Sequence, residues 1–469
     1  MKKRRTVFKP DWRVMKNMVK RIQMLVAGCA LGVLPQIASA QVITLDQAVQ
    51  MCMNVDPSIK EKRDLVEAAR ALLEEAQGHR GLIFDANMFE GFAPAVHGGF
   101  YQGGAYSGAT PRADGPLPDG LSDWTSLQFA VIKPLYTFGK ISEYSEAAKA
   151  NIEVQHGEVL LRQAEMIKKV KRAWYAYLTA RDMRRLLEDV QGHLNDAISL
   201  VNSNLAADNG QSKQTDLYAL QAAQGMLSKY IIQAVAVENI SMAGLKLLTG
   251  VDPHTDLEVA DDSLAPVPFP KGTLPDFKAL AVADRPEMMQ LEAGLRARRA
   301  LVQAKKDSLY PNIYAGIIGE ANYASNRTML NNPYLYDPFN NVGLTPVIGV
   351  KWDLEASVLP AQIAEEKAKL DALNDKAQFA QAGIPFEVSE AWYHLQADYQ
   401  SQLALAKGSA AGRRWMIAAL ADFNAGLEKA DKVADALKTY ALTQAEYLQT
   451  VADYDLDVAE LNKVTGQNR

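Results

Sequence analysis

The chain has 469 residues, of which 48% are hydrophobic and 22% charged, and its formal net charge is −5. An acidic chain of this kind is not expected to bind nucleic acid. One of its two cysteines, Cys29, lies in an N-terminal segment that we expect to be removed, so the mature chain should contain no intrachain disulfide.

Residues 1–40 have the pattern of a secretory signal peptide. Basic residues come first, an apolar run follows over residues 22–37, and Ala38-Ser39-Ala40 supplies the small residues of a cleavage site. Val26-Ala27-Gly28-Cys29 also resembles a lipoprotein cleavage box, so acylation of Cys29 is an open alternative. No later apolar run approaches the roughly 20 residues of a membrane helix. We therefore expect any membrane-spanning part to consist of strands.

Residues 41–250 are predicted to form a helix, two strands, a long helix and a shorter helix. The first helix covers 58–77, the strands cover 84–101 and 126–136 in a hairpin at 84–136, the long helix covers 140–202 and the last helix 213–249. No proline lies between Leu135 and Asp252, and an interior proline would break a helix. The long helix would reach on the order of 95 Å, which fits a rod or a tube.

Residues 251–284 contain a cluster of prolines, namely Pro253, Pro266, Pro268, Pro270 and Pro275. This density predicts that the segment forms no regular helix. We interpret it as an irregular connector that wraps around the outside of the long helices in an equatorial region.

Residues 285–469 are predicted to have the same order of elements. A helix covers 287–308, strands cover 312–323 and 342–354 in a hairpin at 312–354, a long helix covers 361–421 and a last helix 428–465. Pro385 lies inside this long helix. We expect a bend or a short irregular turn there, where the connector packs.

The strand at 342–354 shows a clear alternation. Val342, Leu344, Ile348, Val350 and Trp352 share one face, whereas Gly343, Thr345, Gly349 and Lys351 share the other. One face suits lipid and the other suits water, as in a transmembrane barrel strand. A half-buried hairpin of a soluble protein is the alternative, but the signal peptide and the long helices favour the membrane.

The two halves also share local motifs. Asp56-Pro57 returns as Arg285-Pro286, Ala173-Trp174-Tyr175 as Ala391-Trp392-Tyr393, and Leu248-Thr249-Gly250 as Val464-Thr465-Gly466. Repetition in the same order predicts an internally duplicated fold, with repeats at 41–250 and 285–469.

Four strands are too few to close a barrel, and an open sheet edge is not tolerated in lipid. Since the smallest closed bacterial barrels have about eight strands, several copies must combine their strands. We predict a mostly α fold with transmembrane β structure. Three chains would form a trimeric twelve-strand β-barrel with four strands per chain, continued by a long periplasmic coiled-coil tunnel.

The chain resembles the TolC-type outer-membrane efflux proteins over residues 42–469. The resemblance rests on Thr44-Leu45-Asp46-Gln47-Ala48, Pro57, Lys133-Pro134-Leu135-Tyr136-Thr137-Phe138-Gly139, Leu309-Tyr310-Pro311, Phe423-Asn424-Ala425-Gly426-Leu427 and the two Thr-Gly endings. No single motif is specific, but the set in this order is.

This resemblance implies a homotrimer in the outer membrane of a Gram-negative bacterium, with its helical part in the periplasm. It implies an exit duct for efflux or type I secretion, which works with a periplasmic adaptor protein and an inner-membrane transporter and is not an enzyme. The alternative is a periplasmic coiled-coil scaffold that is lipid-anchored at Cys29 and has no pore.

The resemblance also implies a gate at the two helical turns. In the family, a Thr-Asp pair past the first turn bonds to a basic residue past the second. Thr215 and Asp216 match the pair, but Glu428 stands at the position of the basic residue. We therefore predict a swapped arrangement in which Lys429 or Lys432 is the partner of Asp216. The alternative is that these residues are solvated charges at a helix end.

Other residues near the turns have predicted roles in selectivity and docking. Asp431 and Asp435, repeated by threefold symmetry, would place carboxylates around the narrowest point and favour cations. Ala425-Gly426-Leu427 is the expected adaptor-docking notch, because glycine permits close approach of another backbone. Its counterpart Asn209-Gly210-Gln211 lacks the apolar residue, which leaves open whether docking is symmetric.

No pattern in the chain predicts a catalytic centre, a cofactor site or a metal site. The six histidines are His79, His97, His156, His193, His254 and His394, and they lack the spacing of metal ligands. Met51-Cys52-Met53 is explained by an N-terminal helix with an apolar face. We expect Trp174 and Trp392 to be packing residues of the long helices.

Overall fold

The structure, a computed structural model, describes residues 41–96, 120–207, 212–329, 336–353 and 355–467. The predicted signal peptide and Cys29 lie outside these ranges. The helices are α1 (Leu45–Val55), α2 (Pro57–Gly78), α3 (Lys140–Ala206), α4 (Gln214–Thr249), α5 (Leu274–Asp284), α6 (Pro286–Asp307), α7 (Val358–Asn424) and α8 (Ala430–Val464). The strands are β1 (Gln41–Ile43), β2 (Ile83–Pro94), β3 (Leu121–Tyr136), β4 (Leu257–Val259), β5 (Asn312–Ala324) and β6 (Asn341–Lys351).

Two motifs of the first 60 residues are helix starts. The N–H of Thr44 donates to Oε1 of Gln47 at 2.9 Å, and the N–H of Gln47 donates to Oγ1 of Thr44 at 3.3 Å, which forms the capping box of α1. Asp56 caps α2 by accepting from the N–H of Ser58 at 2.8 Å. Pro57 occupies the first turn of α2, where a backbone N–H would have no acceptor within the helix, so the N–H that proline lacks is not needed.

Two helices of 67 residues each, α3 and α7, dominate the fold. At 1.5 Å per residue, each helix is about 100 Å long. In α3, no turn signal interrupts the sequence before the last residues of the helix. Helix α4 packs along α3, and α8 packs along α7. Val170, Trp174 and Leu178, at a spacing of four residues, lie on the buried stripe of α3 with at most 2% exposure.

The prediction that residues 251–284 contain no regular helix is wrong. Helix α5 covers Leu274–Asp284, and β4 pairs in parallel with β1, with Gln41 opposite Leu257. Pro275 lies in the first turn of α5, where proline is compatible with a helix. The N–H of Thr273 donates to the carboxylate of Asp276 at 2.9 Å and satisfies the helix start.

A bend or a short irregular turn is expected at Pro385. Helix α7 continues through this residue, so no irregular turn interrupts it, and the bend stays a prediction. The flanking residues Ile384 and Val388 are buried against Phe277 and Ala281 of α5. An interior proline costs a helix roughly 3 kcal/mol, and this buried packing acts against that cost. The connector does pack at this level of the helix, as expected.

Helix α4 contradicts the expectation that the chain has no further long apolar run. It is long and apolar enough to cross a membrane by length and composition, with a mean hydropathy of 1.4 in its most apolar window. It instead packs along α3 through Leu217, Leu220 and Leu227. Only 11% of that window is buried, so most of its apolar surface is uncovered in a single chain.

The described strands β2, β3, β5 and β6 form one antiparallel sheet in that order. Phe129 of β3 lies opposite Ala86 of β2 and Gly319 of β5. A Cβ at Gly319 would lie 2.2 Å from the ring of Phe129, so glycine makes room for the ring. The predicted strand ends beyond Val96, and Leu354 at the end of the second hairpin, lie outside the described residues.

Candidate functional site

One face of the sheet is largely apolar, although Glu90, Asp123 and Lys133 also lie on it by register, near its two ends. The register places alternate residues of all four strands together on it: Phe84, Ala86, Met88 and Phe92; Leu127, Phe129 and Val131; Ile313, Ile317 and Tyr323; and Val342, Leu344, Ile348 and Val350. Val342 is 81% exposed and Ile348 is 80% exposed, and no described element covers this face. An exposed apolar surface of this extent is suited to lipid.

Aromatic side chains mark the end of the sheet next to the helices. The rings of Phe138 and Tyr310 stack with centroids 5.3 Å apart, and Tyr136 contacts Phe138 edge-on at 4.7 Å. Nε1 of Trp352 donates to the carbonyl of Leu309 at 2.9 Å. Rings with a polar edge at this level are typical of the boundary between lipid and water.

The opposite face, called the polar face below, carries most of the sheet's polar side chains, together with the apolar Phe89, Ile132 and Ile318. Asp85, Asn87, Gln128, Glu320, Asn322, Asn341, Thr345 and Lys351 lie on it by register. Glu320 accepts hydrogen bonds from Nδ2 of Asn341 at 2.7 Å and from the hydroxyl of Tyr336 at 3.0 Å. This face is suited to water, so the sheet has the two-sided character of a channel wall.

A buried ion pair holds the connection between β5 and β6. Nε of Arg327 donates to Asp337 at 2.8 Å, with both side chains at most 7% exposed. Arg327 also donates to the carbonyl of Pro94 at 2.8 Å and lies over the ring of Phe339. Phe339 contacts Trp124 on the polar face, so this segment folds over that side of the sheet. Sequence reasoning missed the pair, which lies outside any periodic element.

The two helical tips pack together at the far end of the long helices. Val201 and Leu217 belong to one apolar cluster with Phe423, Ala430 and Val433. The turn after α7 is closed by the N–H of Leu427, which donates to the carbonyl of Asp422 at 2.8 Å.

Gly426 has φ +73 in this turn, a conformation that favours glycine. Leu427 is 78% exposed and presents an uncovered apolar side chain next to Ala425. The counterpart residues Asn209, Gly210 and Gln211 lie outside the described residues.

The predicted gate residues lie at these tips. The carboxylate of Asp216 accepts from the N–H of Lys213 at 2.8 Å and thereby caps α4, while Thr215 is exposed. Within the described residues, no ion pair joins Asp216 to Lys429 or Lys432. The predicted latch therefore does not form within this single chain and stays a prediction.

The remaining charges of the second turn are also exposed. The N–H of Lys429 donates to the Glu428 carboxylate at 3.0 Å, and the N–H of Lys432 donates to Asp431 at 2.9 Å. Asp431 and Asp435 are both exposed, so neither carboxylate points into the core. The structure brings these acids to the same end of the molecule as Asp216.

The connector is held by polar contacts at mid-height of the long helices. Nε1 of Trp174 donates to Asp261 at 2.9 Å, and Asp182 accepts from the N–H of Leu264 at 2.7 Å. Trp174 and Trp392 are buried packing residues, as expected. The hydrogen bond of Trp174 to the connector is an addition that the sequence did not indicate.

Two concave surfaces lie along the helices. A cavity of about 1480 Å³ lies where the sheet meets α2, α3, α6 and α7. A groove of about 910 Å³ runs between α4 and α8, with α3 as its floor. In the part of the chain that the structure describes, no group of three or more His, Cys, Asp or Glu side chains could hold a metal ion.

Residues 279–467 match the family model described as "Outer membrane efflux protein". No curated protein matches the chain by sequence. Among solved structures, a membrane protein from Pseudomonas aeruginosa matches with a TM-score of 0.73 and 16% identity, over 90% of this chain and 93% of that one.

Two further solved structures come from other bacteria. The outer membrane protein VceC of Vibrio cholerae matches with a TM-score of 0.71 and 14% identity, over 90% of this chain and 96% of that one. The CmeC outer membrane channel of Campylobacter jejuni matches with a TM-score of 0.73 and 12% identity, over 90% of this chain and 86% of that one.

These matches confirm the predicted resemblance to outer-membrane efflux proteins. Residues 279–467 match the outer membrane efflux protein family, and the described chain as a whole has the fold of the TolC-type outer-membrane channels.

Proposed function

We propose that this protein is the exit duct of an efflux or type I secretion system, formed by three copies in the outer membrane. The observation that carries the proposal is the sheet with one lipid-suited face and two free edges. In the described part, β2 and β6 each have a neighbour on one side only. Unpaired edge groups cost several kilocalories per mole in lipid, so the edges must pair with those of other copies.

Three copies supply twelve strands and close a barrel wide enough for water. Helix α4 supports this assembly, because its exposed apolar residues need a covering surface: Ile232, Ile240 and Leu247 are all at least 69% exposed. A neighbouring protomer's helices would cover them. The polar face of the sheet would then line the pore.

The arrangement of elements supports two repeats per chain. Helix α5 begins 229 residues after α1, and α6 begins 229 residues after α2. This is the offset that separates Asp56-Pro57 from Arg285-Pro286. We place the first repeat at 41–250. The second repeat, expected at 285–469, then begins earlier, at α5, because α5 is the counterpart of α1.

The helical tips are the proposed gate and adaptor-docking region. Thr215, Asp216, Lys429 and Lys432 lie at one end of the molecule and are free to pair between neighbouring protomers of a trimer. The exposed Leu427 beside Gly426 offers a small apolar contact to an adaptor. The groove between α4 and α8 is suited to an apolar helix face of such a partner, which would link the duct to an inner-membrane transporter.

Reconstitution in planar lipid bilayers tests the proposal. The purified protein should be a trimer in detergent and should produce stepwise ion conductance. The outer-membrane fraction should contain it in a heat-modifiable form. Release of a monomeric protein by osmotic shock, without any conductance, would instead support the periplasmic scaffold.

A further inference from the structure

The cavity at the junction of sheet and helices lies on the pore side of the sheet. Its strand residues, among them Ile83, Tyr314 and Lys351, belong to the polar face by register. Its helix residues include Leu72 of α2 and Leu373 of α7. With a volume of about 1480 Å³, the cavity is larger than a typical pocket for one small molecule.

The walls of this cavity combine charged side chains with exposed apolar ones, although they face the pore. Leu72 is 53% exposed and Ile83 is 46% exposed. Apolar surface facing water is unfavourable in proportion to its area, so a ligand that covers it is bound more tightly as its apolar part grows.

Most charged groups around the cavity are already paired within the chain. Glu158 pairs with Lys62 at 3.6 Å, Glu287 with Arg285 at 2.9 Å, and Arg298 with Glu366 at 3.1 Å. In the described ranges, Lys140 and Lys376 form no ion pair, and among the acids lining the cavity Glu75 forms none. Two unpaired cations and one unpaired acid give the cavity a net positive charge.

We propose that this cavity binds amphipathic anions, molecules with an apolar body and one acidic group, as they leave through the pore. The apolar side chains of the walls hold the body, and Lys140 and Lys376 attract the acidic group. The inference rests on the proposed function, because the cavity faces a pore only in the assembled trimer.

Block of single-channel conductance tests this proposal. Hexanesulfonate is added on the barrel side of a reconstituted channel, so that it reaches the cavity without passing the helical tips. It should block current, and each added methylene from butanesulfonate to octanesulfonate should tighten the block by roughly three- to fourfold. Hexyltrimethylammonium, with the same chain and the opposite charge, should block more weakly.

Matched variants separate the cavity from unspecific effects. Lys140→Gln and Lys376→Gln should each weaken block by hexanesulfonate about three- to fivefold, which corresponds to the loss of one partly screened charge contact. Glu75→Gln should strengthen it. Lys367→Gln is the control, because Lys367 lies nine residues before Lys376 on α7 and therefore on the opposite side of that helix.

Equal block by the anion and the cation, or block that is unchanged in both lysine variants, would overturn the inference while the conducting pore remains. A chain that forms no conducting pore would overturn the proposed function itself. Leu373→Cys gives a second measurement, since the cavity must be open in the trimer. A water-soluble maleimide should label this cysteine, and complete protection would mean that a neighbouring protomer fills the cavity.

Discussion

The carboxylate of Asp455 in α8 accepts a hydrogen bond of 2.8 Å from the backbone N–H of Val267 in the connector. Asp455 is 1% exposed, and its second oxygen has no hydrogen-bond partner within the described residues. The hydroxyl of Tyr454 donates to the carbonyl of the same Val267 at 3.1 Å. These contacts fasten the connector to α8, and they make the connector sensitive to the charge of one carboxyl group.

This contact should make stability depend on pH. Burial raises the pKa of Asp455 to about 7, so the folded chain keeps a proton that the unfolded chain loses at lower pH. The free energy of unfolding should therefore fall as the pH rises from about 4 to about 7, by up to about 4 kcal/mol from this group. Circular dichroism at 222 nm, recorded during heating at pH 5 and pH 8, measures the effect.

The substitution Asp455→Asn isolates the contribution of this group. An amide keeps an acceptor for the N–H of Val267 but cannot ionise, so the variant should lose less stability between pH 5 and pH 8 than the natural chain does. Asp371→Asn removes an exposed carboxyl group of α7 and serves as the control. The same pH dependence in all three proteins would contradict the assignment to Asp455.

Gly466, the glycine of the second Thr-Gly pair, should not tolerate a side chain. Gly466 has φ +76, and a Cβ there would lie 2.6 Å from the carbonyl oxygen of Asp284. Gly466→Ala should destabilise the chain by about 1–2 kcal/mol or more, since both the backbone conformation and the close contact oppose it. The measurement is the thermal midpoint of the protein in detergent.

Gly192→Ala is the matched control for this change. Gly192 lies inside α3, and a Cβ there would meet nothing within 4 Å. Alanine favours a helix by roughly 0.5–1 kcal/mol over glycine, so this variant should be slightly more stable. Destabilisation of similar size in both variants would contradict the proposed role of the Thr-Gly ending.

The long helices and the lipid-suited face could be predicted because each follows from a local, periodic pattern. The gap in prolines before Asp252 permits α3, and the alternation from Val342 to Val350 gives the orientation of β6. Helix α5 could also be predicted from the sequence, because Thr273-Leu274-Pro275-Asp276 combines a capping acid with a proline in the first turn. The number of prolines in the connector concealed it.

The contacts that hold the connector and the sheet end could not be predicted from local patterns. Trp174 bonds to Asp261, and Asp455 bonds to Val267 over a separation of 188 residues. Such pairs depend on how the elements are folded together, and a single sequence carries no periodic signal for them. The same reason explains why the cavity beside Lys140 and Lys376 was missed.

A charge on the apolar face of β6 should prevent insertion into lipid. Ile348 is 80% exposed and lies on this face, whereas Thr345 lies on the polar face of the same strand. Ile348→Arg should cost about 2–4 kcal/mol at the middle of the membrane, and Thr345→Arg should be tolerated. The measurement is the fraction of heat-modifiable protein after refolding into lipid vesicles. Equal insertion of both variants would contradict the assignment of the two faces.

The predicted gate can be tested through Asp216. An exposed ion pair contributes only up to about 1 kcal/mol, but three pairs in a trimer shift the ratio of closed to open channels by roughly a hundredfold. Asp216→Lys should therefore raise the conductance of reconstituted channels. Asp216→Asn, which keeps an acceptor for the N–H of Lys213, should raise it less.

Charge exchange identifies the partner of Asp216. If Lys429 is the partner, adding Lys429→Asp to Asp216→Lys should restore the low conductance, whereas adding Lys432→Asp should not, and the converse holds for Lys432. Asp196→Lys is the control, because Asp196 is an exposed acid of α3 away from the turn. Neither exchange can restore closure if these residues are merely solvated charges. In that case Asp216→Lys would also leave the conductance unchanged, because Asp216 would act only as the cap of α4 through its 2.8 Å contact with the N–H of Lys213.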